Sequence, residues 1–233
     1  MSGILGPYIV FDGPEGCGTR LYVGHADDYL RDAIGDTGVL RVEEPGGTKL
    51  GEEMKTLLLS KEHGNKTPFQ QALLFSVAHA DMIQNRVIPA RKLGRAVISD
   101  RGQISTFAYQ DFAGGLNHGI VENISDTLFE ECPITRAILL DIPASLSVKY
   151  VEDSLEKHPE RVSWLVPNKD PAKLKEYFGK VCEGFREYAR RNPTFVTLVN
   201  ANRHPEEVRS DVETILEGVV EEYYNSGKIV LKK

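Results

Sequence analysis

Apolar positions along the chain follow two alternating spacings. Short continuous runs are separated by longer stretches in which apolar residues recur every three or four positions. The runs Tyr8–Phe11, Val39–Val42, Ala96–Ser99, Ala137–Ile142 and Phe195–Val199 predict strands, most of them of the buried kind. Leu21, Ala26, Leu30 and Ile34 share one helical face and predict a helix over 21–34. Further helices are expected over 50–59, over 68–93 (opened by Thr67-Pro68), near 105–110, and over 118–130, 144–157, 171–191 and 205–224. Strands alternating with helices predict an α/β fold with a parallel sheet covered on both faces. No repeat, low-complexity linker or composition break divides the chain, so residues 1–233 read as one domain. One segment inside a helical region has a loop composition: His158–Asp170, with two prolines and an Asn, reads as an insertion or lid over about 157–170.

Composition narrows the function classes. The 233 residues carry 28 Lys and Arg against 34 Asp and Glu, a formal charge of −6, with 41% hydrophobic and 27% charged residues. That balance fits a globular protein and not a disordered one. An acidic chain is poorly suited to wrapping a nucleic-acid backbone, so no nucleic-acid partner is expected. No apolar run approaches a membrane span, and the N-terminus lacks a basic region before its first apolar run, so neither a membrane nor a secretion signal is expected. Cys17, Cys132 and Cys182 are odd in number and widely spaced, which fits neither a disulfide framework nor a zinc site. A reducing, cytoplasmic location is the expectation.

The first strand ends at Asp12 and enters Gly13-Pro14-Glu15-Gly16-Cys17-Gly18-Thr19-Arg20 before a helix. Strand, glycine-rich loop and helix form the context of a phosphate-binding P-loop, in which backbone N–H groups and the helix dipole face an anion. Gly13 and Gly18 fit the spacing G-x-x-x-x-G-K-S/T, but Thr19 stands at the Lys and Arg20 at the Ser/Thr. On that segment alone, a plain glycine-rich turn is the better reading. Farther on come Glu44-Pro45-Gly46-Gly47-Thr48, Leu73-Leu74-Phe75-Ser76, Ser99-Asp100-Arg101 and Ser105-Thr106-Phe107-Ala108-Tyr109-Gln110.

In this order and spacing the motifs resemble the thymidylate kinases, a branch of the P-loop nucleoside monophosphate kinases, from Tyr8 to about Glu222. The resemblance implies a three-layer P-loop kinase fold: a five-stranded parallel sheet, helices on both faces and a mobile lid. It implies ATP-dependent phosphorylation of dTMP, or a related deoxynucleoside monophosphate, with Mg²⁺, and a homodimer. By the same resemblance Gly13, Glu15, Gly16, Cys17, Gly18, Thr19 and Arg20 form the nucleotide loop, with Glu15 also facing the sugar of the monophosphate. Phe75 matches the aromatic that stacks on the base, Arg101 the phosphate grip and Asp100 the group near the metal. Ser105, Thr106, Tyr109 and Gln110 match the base and sugar pocket, and Arg161 falls among the lid cations. Independently, Asp12, Glu43 and Asp100 lie at strand ends, where open α/β sheets bind ligands, so each is expected to face that crevice.

The chain departs from the pattern at charged positions. Thr19 replaces the P-loop Lys, Glu43 the Arg opening R-E-P-G-G-T, and His79 the base-contacting Arg, with Ala78 before it; Gly102 follows Arg101 where an aromatic or His is usual. One preorganised charge-stabilising donor is worth roughly 3–4 kcal/mol, or 10²–10³ in rate, so a slower enzyme is implied. Arg20 has two readings. It bends towards a phosphate in place of the Lys, or it pairs with Glu43 across the crevice; a guanidinium cannot take over the hydroxyl's metal ligation.

Plainer readings stand beside these. Phe75 next to Leu73 and Leu74 resembles core, and His79 a polar cleft or surface residue, since Ile83 and no ligand stands four residues on. Asp100-Arg101 resembles a structural ion pair. Cys17 reads as a small-residue substitute within the loop, and its place near a helix N-terminus is also the setting of a lowered thiol pKa and ready oxidation. Three functions remain open: a deoxynucleoside monophosphate kinase, a catalytically impaired nucleotide-binding relative, and a P-loop kinase for another acceptor.

Overall fold

The computed structural model describes residues 5–60, 62–157, 170–227 and 229. Five strands form one parallel sheet: β1 (Tyr8–Asp12), β2 (Val39–Glu43), β3 (Ala96–Asp100), β4 (Arg136–Asp141) and β5 (Val196–Asn200), in the order β2-β3-β1-β4-β5. The first three strands each run one residue past the predicted end, and the added residues are Asp12, Glu43 and Asp100. β1 and β3 are buried throughout, as continuous apolar runs require, whereas the edge strands β2 and β5 each bury two residues and leave the other three partly or fully exposed.

The period of β1 divides the core. Tyr8 and Val10 face one apolar cluster with Met82, Phe178 and Phe185, while Ile9 and Phe11 face another with Val23, Leu30, Val208 and Leu216. Helices therefore cover both faces. α1 (Thr19–Ile34) and α9 (Pro205–Val220) pack against the second cluster, and α3 (Pro68–Met82) and α8 (Pro171–Arg191) against the first. α2 (Lys49–Leu59) packs on α3, α6 (His118–Glu131) lies before β4, and α7 (Ala144–Lys157) leads towards α8.

The helix expected over 68–93 is not uniform. Its start is sound: the Thr67 hydroxyl accepts from the Gln70 amide, and Gln70 answers to the Thr67 amide at 2.9 Å, a reciprocal cap. After Met82 it widens into a π-turn over Ile83–Val87 and resumes as α4 (Ile88–Lys92). Pro89 has no N–H and its ring crowds the carbonyl four residues back, so a wider turn accommodates it. The segment expected near 105–110 likewise begins earlier, as α5 (Gln103–Thr106), and continues as a π-turn over Phe107–Ala113. The expected lid, with Arg161, falls almost wholly outside the described residues.

Candidate functional site

The carboxyl ends of β1, β2 and β3 meet two adjoining cavities. Glu43 and Phe11 both register with Asp100, so the strand ends stand in one row. The P-loop leaves β1 through Gly13 (φ 156) and Gly16 (φ 85). A side chain at Gly13 would begin 2.6 Å from the Leu140 carbonyl oxygen, and one at Gly16 would begin 2.8 Å from Tyr150 of α7. Both positions thus require glycine for space as well as for backbone angle. α1 starts at Gly18 with no side-chain cap and no acidic residue in its first turn. Among the described residues the amides of Glu15, Gly16, Gly18 and Arg20 donate to no acceptor. A loop with free amides at an uncapped helix N-terminus is built to receive an anion.

The P-loop crevice is lined by Glu15 through Arg20, by Glu43 and Glu44, and by Asp100, Arg101, Lys55 and Tyr150. Thr19, at the Lys position, is buried and brings no charge. Arg20 pairs with Glu43 at 2.9 Å, with both side chains largely in solvent, so the geometry is that of the second reading of Arg20. Lys55 was not singled out from the sequence, where it looked like any solvent-facing lysine of a helix. Its nearest carboxylate, Glu52, lies 4.0 Å away, which leaves its ammonium available to the crevice. Asp100 is 5% exposed, and its carboxylate accepts no hydrogen bond from any described residue. Magnesium prefers hard oxygen ligands, one or two protein carboxylates with phosphate and water completing the set. A free carboxylate at the P-loop suits that requirement. No cluster of three His, Cys, Asp or Glu side chains that could cage a metal occurs among the described residues.

The second cavity encloses about 620 Å³, including its open mouth. It gathers every substrate-contact candidate named from the sequence: Glu15, Phe75, His79, Arg101, Ser105, Thr106, Tyr109 and Gln110. Phe75 is therefore part of a cavity wall and not plain core. His79 is not a surface residue: it is 1% exposed and bonded through Nδ1 to Glu44 Oε2 at 2.6 Å. Gln110 donates to Gln71 at 3.0 Å. Glu15, Glu44, Pro45 and Arg101 line both cavities.

Arg101 joins the two. Its Nη1 donates to the Gly13 carbonyl at 3.0 Å, and to Asp12 Oδ1 and Ser105 Oγ at 3.3 Å; its Nη2 donates to Glu15 at 2.8 Å. Its ion pairs thus run to Asp12 and Glu15 and not to neighbouring Asp100. Burial works against the guanidinium charge, but the Glu15 and Asp12 carboxylates outweigh it and hold the pKa well above the usual arginine value. Arg101 also takes a left-handed backbone (φ 71), unusual for a side-chain residue and costing about 1–3 kcal/mol. The Tyr109 hydroxyl donates to Glu15 at 3.4 Å, and burial, reinforced by Glu15, raises its pKa, so it remains a phenol.

Two expectations are corrected here. Asp12 does not face the crevice: it is fully buried beneath Arg101 and accepts from Ser105 Oγ at 2.7 Å and the Gly13 amide at 2.9 Å. Burial raises its pKa to about 6, against the lowering pull of Arg101. Cys17 is no reactive thiol: burial pushes its pKa up to about 12, overriding both the helix N-terminus and Arg101. Cys132 and Cys182 are buried as well.

A family model described as thymidylate kinase matches residues 11–212. The chain belongs to the thymidylate kinase family. It is 28% identical over 227 residues to the thymidylate kinase of Geobacillus thermodenitrificans, covering 96% of each chain. It is 32% identical over 196 residues to that of Chlamydia trachomatis, covering 83% of this chain and 90% of the relative. The crystal structure of thymidylate kinase from Ehrlichia chaffeensis superposes with a TM-score of 0.71 at 21% identity, over 91% of this chain and 98% of the other, and shares its fold. Among the described residues no helix is long and apolar enough to cross a membrane.

The titration of Asp12 yields a stability prediction. Its folded pKa of about 6 lies above the ordinary 3.8. Its contribution to stability is therefore complete below pH 3.8 and is lost as pH rises through 6. Between pH 4 and 7 the native protein should lose up to roughly 3 kcal/mol relative to Asp12→Asn, read by urea unfolding. Parallel pH curves for the two proteins would contradict this titration.

Proposed function

We propose that the chain transfers the γ-phosphoryl group of ATP to dTMP, or to a related deoxynucleoside monophosphate, giving the diphosphate and ADP. The observation that carries this reading is the junction. Arg101 and Glu15 belong to both cavities, so a nucleotide in the P-loop and a monophosphate in the second cavity would bring their phosphates together there. The monophosphate is largely a dianion at neutral pH, so an oxygen of it can attack the γ-phosphorus without a general base. One P–O bond forms, the bond from the γ-phosphorus to the bridging oxygen breaks, and ADP carries that electron pair away. Positioning and charge neutralisation are then what the protein supplies.

In this reading the free P-loop amides and the α1 N-terminus hold the β-phosphate region of ATP. Arg101 grips phosphate at the junction, and Lys55 and Arg20 bring further positive charge. Phe75 stacks on the base, and Glu15, Ser105, Thr106, Tyr109 and Gln110 hold the sugar and the base edge. Asp100 would hold magnesium, which offsets phosphate charge when bound. That help matters here, because the crevice has Arg20, Lys55 and Arg101 against Glu15, Glu43, Glu44 and Asp100.

A second reading, a nucleotide-binding relative with little transfer activity, is favoured by one observation: Thr19 is uncharged and Arg20 is engaged by Glu43. ADP release from ATP and Mg²⁺ over a panel of nucleoside monophosphates separates the two, with Arg101→Ala as the control. The kinase reading predicts turnover that peaks with dTMP and falls at least about 10²-fold in the variant. A flat panel equal to the variant would sink it. The P-loop substitutions are expected to keep the rate below that of a loop with Lys.

Homodimerisation through α3 belongs to the same proposal. Phe69, Leu73 and Val77 form a stripe at four-residue spacing, 44%, 42% and 43% exposed. Light scattering should give a dimer for the native chain and a folded monomer for Leu73→Glu/Val77→Glu. A native monomer would overturn the pairing.

A further inference from the structure

The P-loop crevice contains an ion pair that water can reach and, next to it, a carboxylate with no partner. Arg20, in the first turn of α1, donates from Nη2 to Glu43 Oε1 at 2.9 Å. Glu43 ends β2 and stands in register with Asp100, which ends β3. Neighbouring strands lie about 4.8 Å apart, and residues in register point to the same face of the sheet. The two carboxylates therefore leave the strand ends side by side, and both line the crevice with the P-loop.

Their surroundings differ. Asp100 is 5% exposed. The nearest guanidinium in sequence, that of Arg101, is taken by Asp12 and Glu15, and no described side chain or amide pairs with the Asp100 carboxylate. A carboxylate so enclosed is costly without a counter-charge, and its one open side is the crevice. Glu43 does have a partner, but the Arg20 and Glu43 side chains are 72% and 49% exposed. An ion pair that open to water is weak and readily exchanged for a stronger partner.

Arg20 also stands where the pattern G-x-x-x-x-G-K-S/T puts the hydroxyl that ligates magnesium, and a guanidinium has no lone pair to offer a metal. Magnesium accepts one or two carboxylates, with phosphate and water completing its shell. Asp100 supplies one such ligand, and Glu43, adjacent on the same face, supplies a second of the same kind.

We propose that Glu43 and Asp100 together hold the divalent cation that accompanies the nucleotide, and that Glu43, in turning to the cation, releases Arg20 to the phosphates. Without metal, Arg20 is engaged by Glu43 and contributes little to nucleotide binding. With metal, Glu43 is a ligand, and the guanidinium fork is free to donate to phosphate oxygens, which it matches in geometry and charge. The two readings of Arg20 then belong to two states of one crevice. The proposal rests on the reading of this crevice as the ATP site.

The test is calorimetric binding of the β,γ-methylene analogue of ATP to the full chain, in magnesium and in EDTA. Electron paramagnetic resonance of protein-bound Mn²⁺ in the analogue complex accompanies it. In EDTA, Arg20→Ala should change the affinity less than about twofold. In magnesium it should lower the affinity at least about tenfold, the loss of a charge-assisted contact. Glu43→Gln should weaken Mn²⁺ at least about tenfold and raise the analogue's affinity in EDTA, because Arg20 is then free without metal. Adding Arg20→Ala to Glu43→Gln should abolish that rise, whereas simple relief of repulsion by Glu43 would leave it intact. Equal losses in Arg20→Ala with and without metal, an intact rise in the double variant, or unchanged Mn²⁺ affinity in Glu43→Gln would overturn the exchange and leave the crevice a nucleotide site. An analogue that binds under neither condition would overturn the nucleotide reading and the exchange with it.

Discussion

The buried carboxylate of Asp12 is the constraint from which the site is built. It ends the central strand β1 and lies fully within the protein. Its Oδ1 accepts from the Gly13 amide, from Ser105 Oγ and from Arg101. One oxygen thus pins the start of the P-loop, the turn after β3 and the helix that follows it. A charge there is expensive, as its raised pKa shows, and the Arg101 guanidinium offsets that expense while spanning to Glu15. The left-handed backbone of Arg101 is held by the same bonds and by its amide on Phe11. Strain at such a position persists only where the surroundings over-determine it.

That arrangement explains why two cavities share a wall. The β1–α1 loop supplies amides on one side of Arg101, and α5 with its π-turn supplies Ser105, Thr106, Tyr109 and Gln110 on the other. One guanidinium lines both cavities and joins them. The amide groups of the loop are independent of side-chain identity, so the replacement of Lys by Thr19 removes charge and leaves the cradle. The electrostatic deficit is then a matter of which cations remain within reach, and among the described residues lining the crevice Lys55 is the one that no carboxylate holds closely.

Much of this was legible in the residues. Continuous apolar runs gave the buried strands, which need no alternation, and the mixed runs Val39–Val42 and Phe195–Val199 gave the two edge strands. The ordered motifs placed Phe75, Arg101 and Ser105 to Gln110 about one cavity. Other features were not legible, for physical reasons. Periodicity reports which face of an element is buried and not what lies across the cavity, so the Glu44–His79 contact had no local signal. Asp12 looked like a crevice residue, since a strand end does not reveal that an arginine 89 positions away will cover it. Cys17 carried the local mark of a reactive thiol, a helix N-terminus, but desolvation by its surroundings dominates. The π-turns depend on Pro89 and on tertiary packing, which blur any single helical period.

The central claim is that Arg101 makes one preorganised site of two cavities. Its most direct test is the affinity of adenosine and thymidine joined through five phosphates, measured against ATP alone and dTMP alone. The account predicts one molecule bound per chain, more tightly than either nucleotide, with both displaced in competition and the advantage lost in Arg101→Ala. A linked ligand that binds no better than the tighter single nucleotide, or an advantage unaffected by Arg101→Ala, would contradict it.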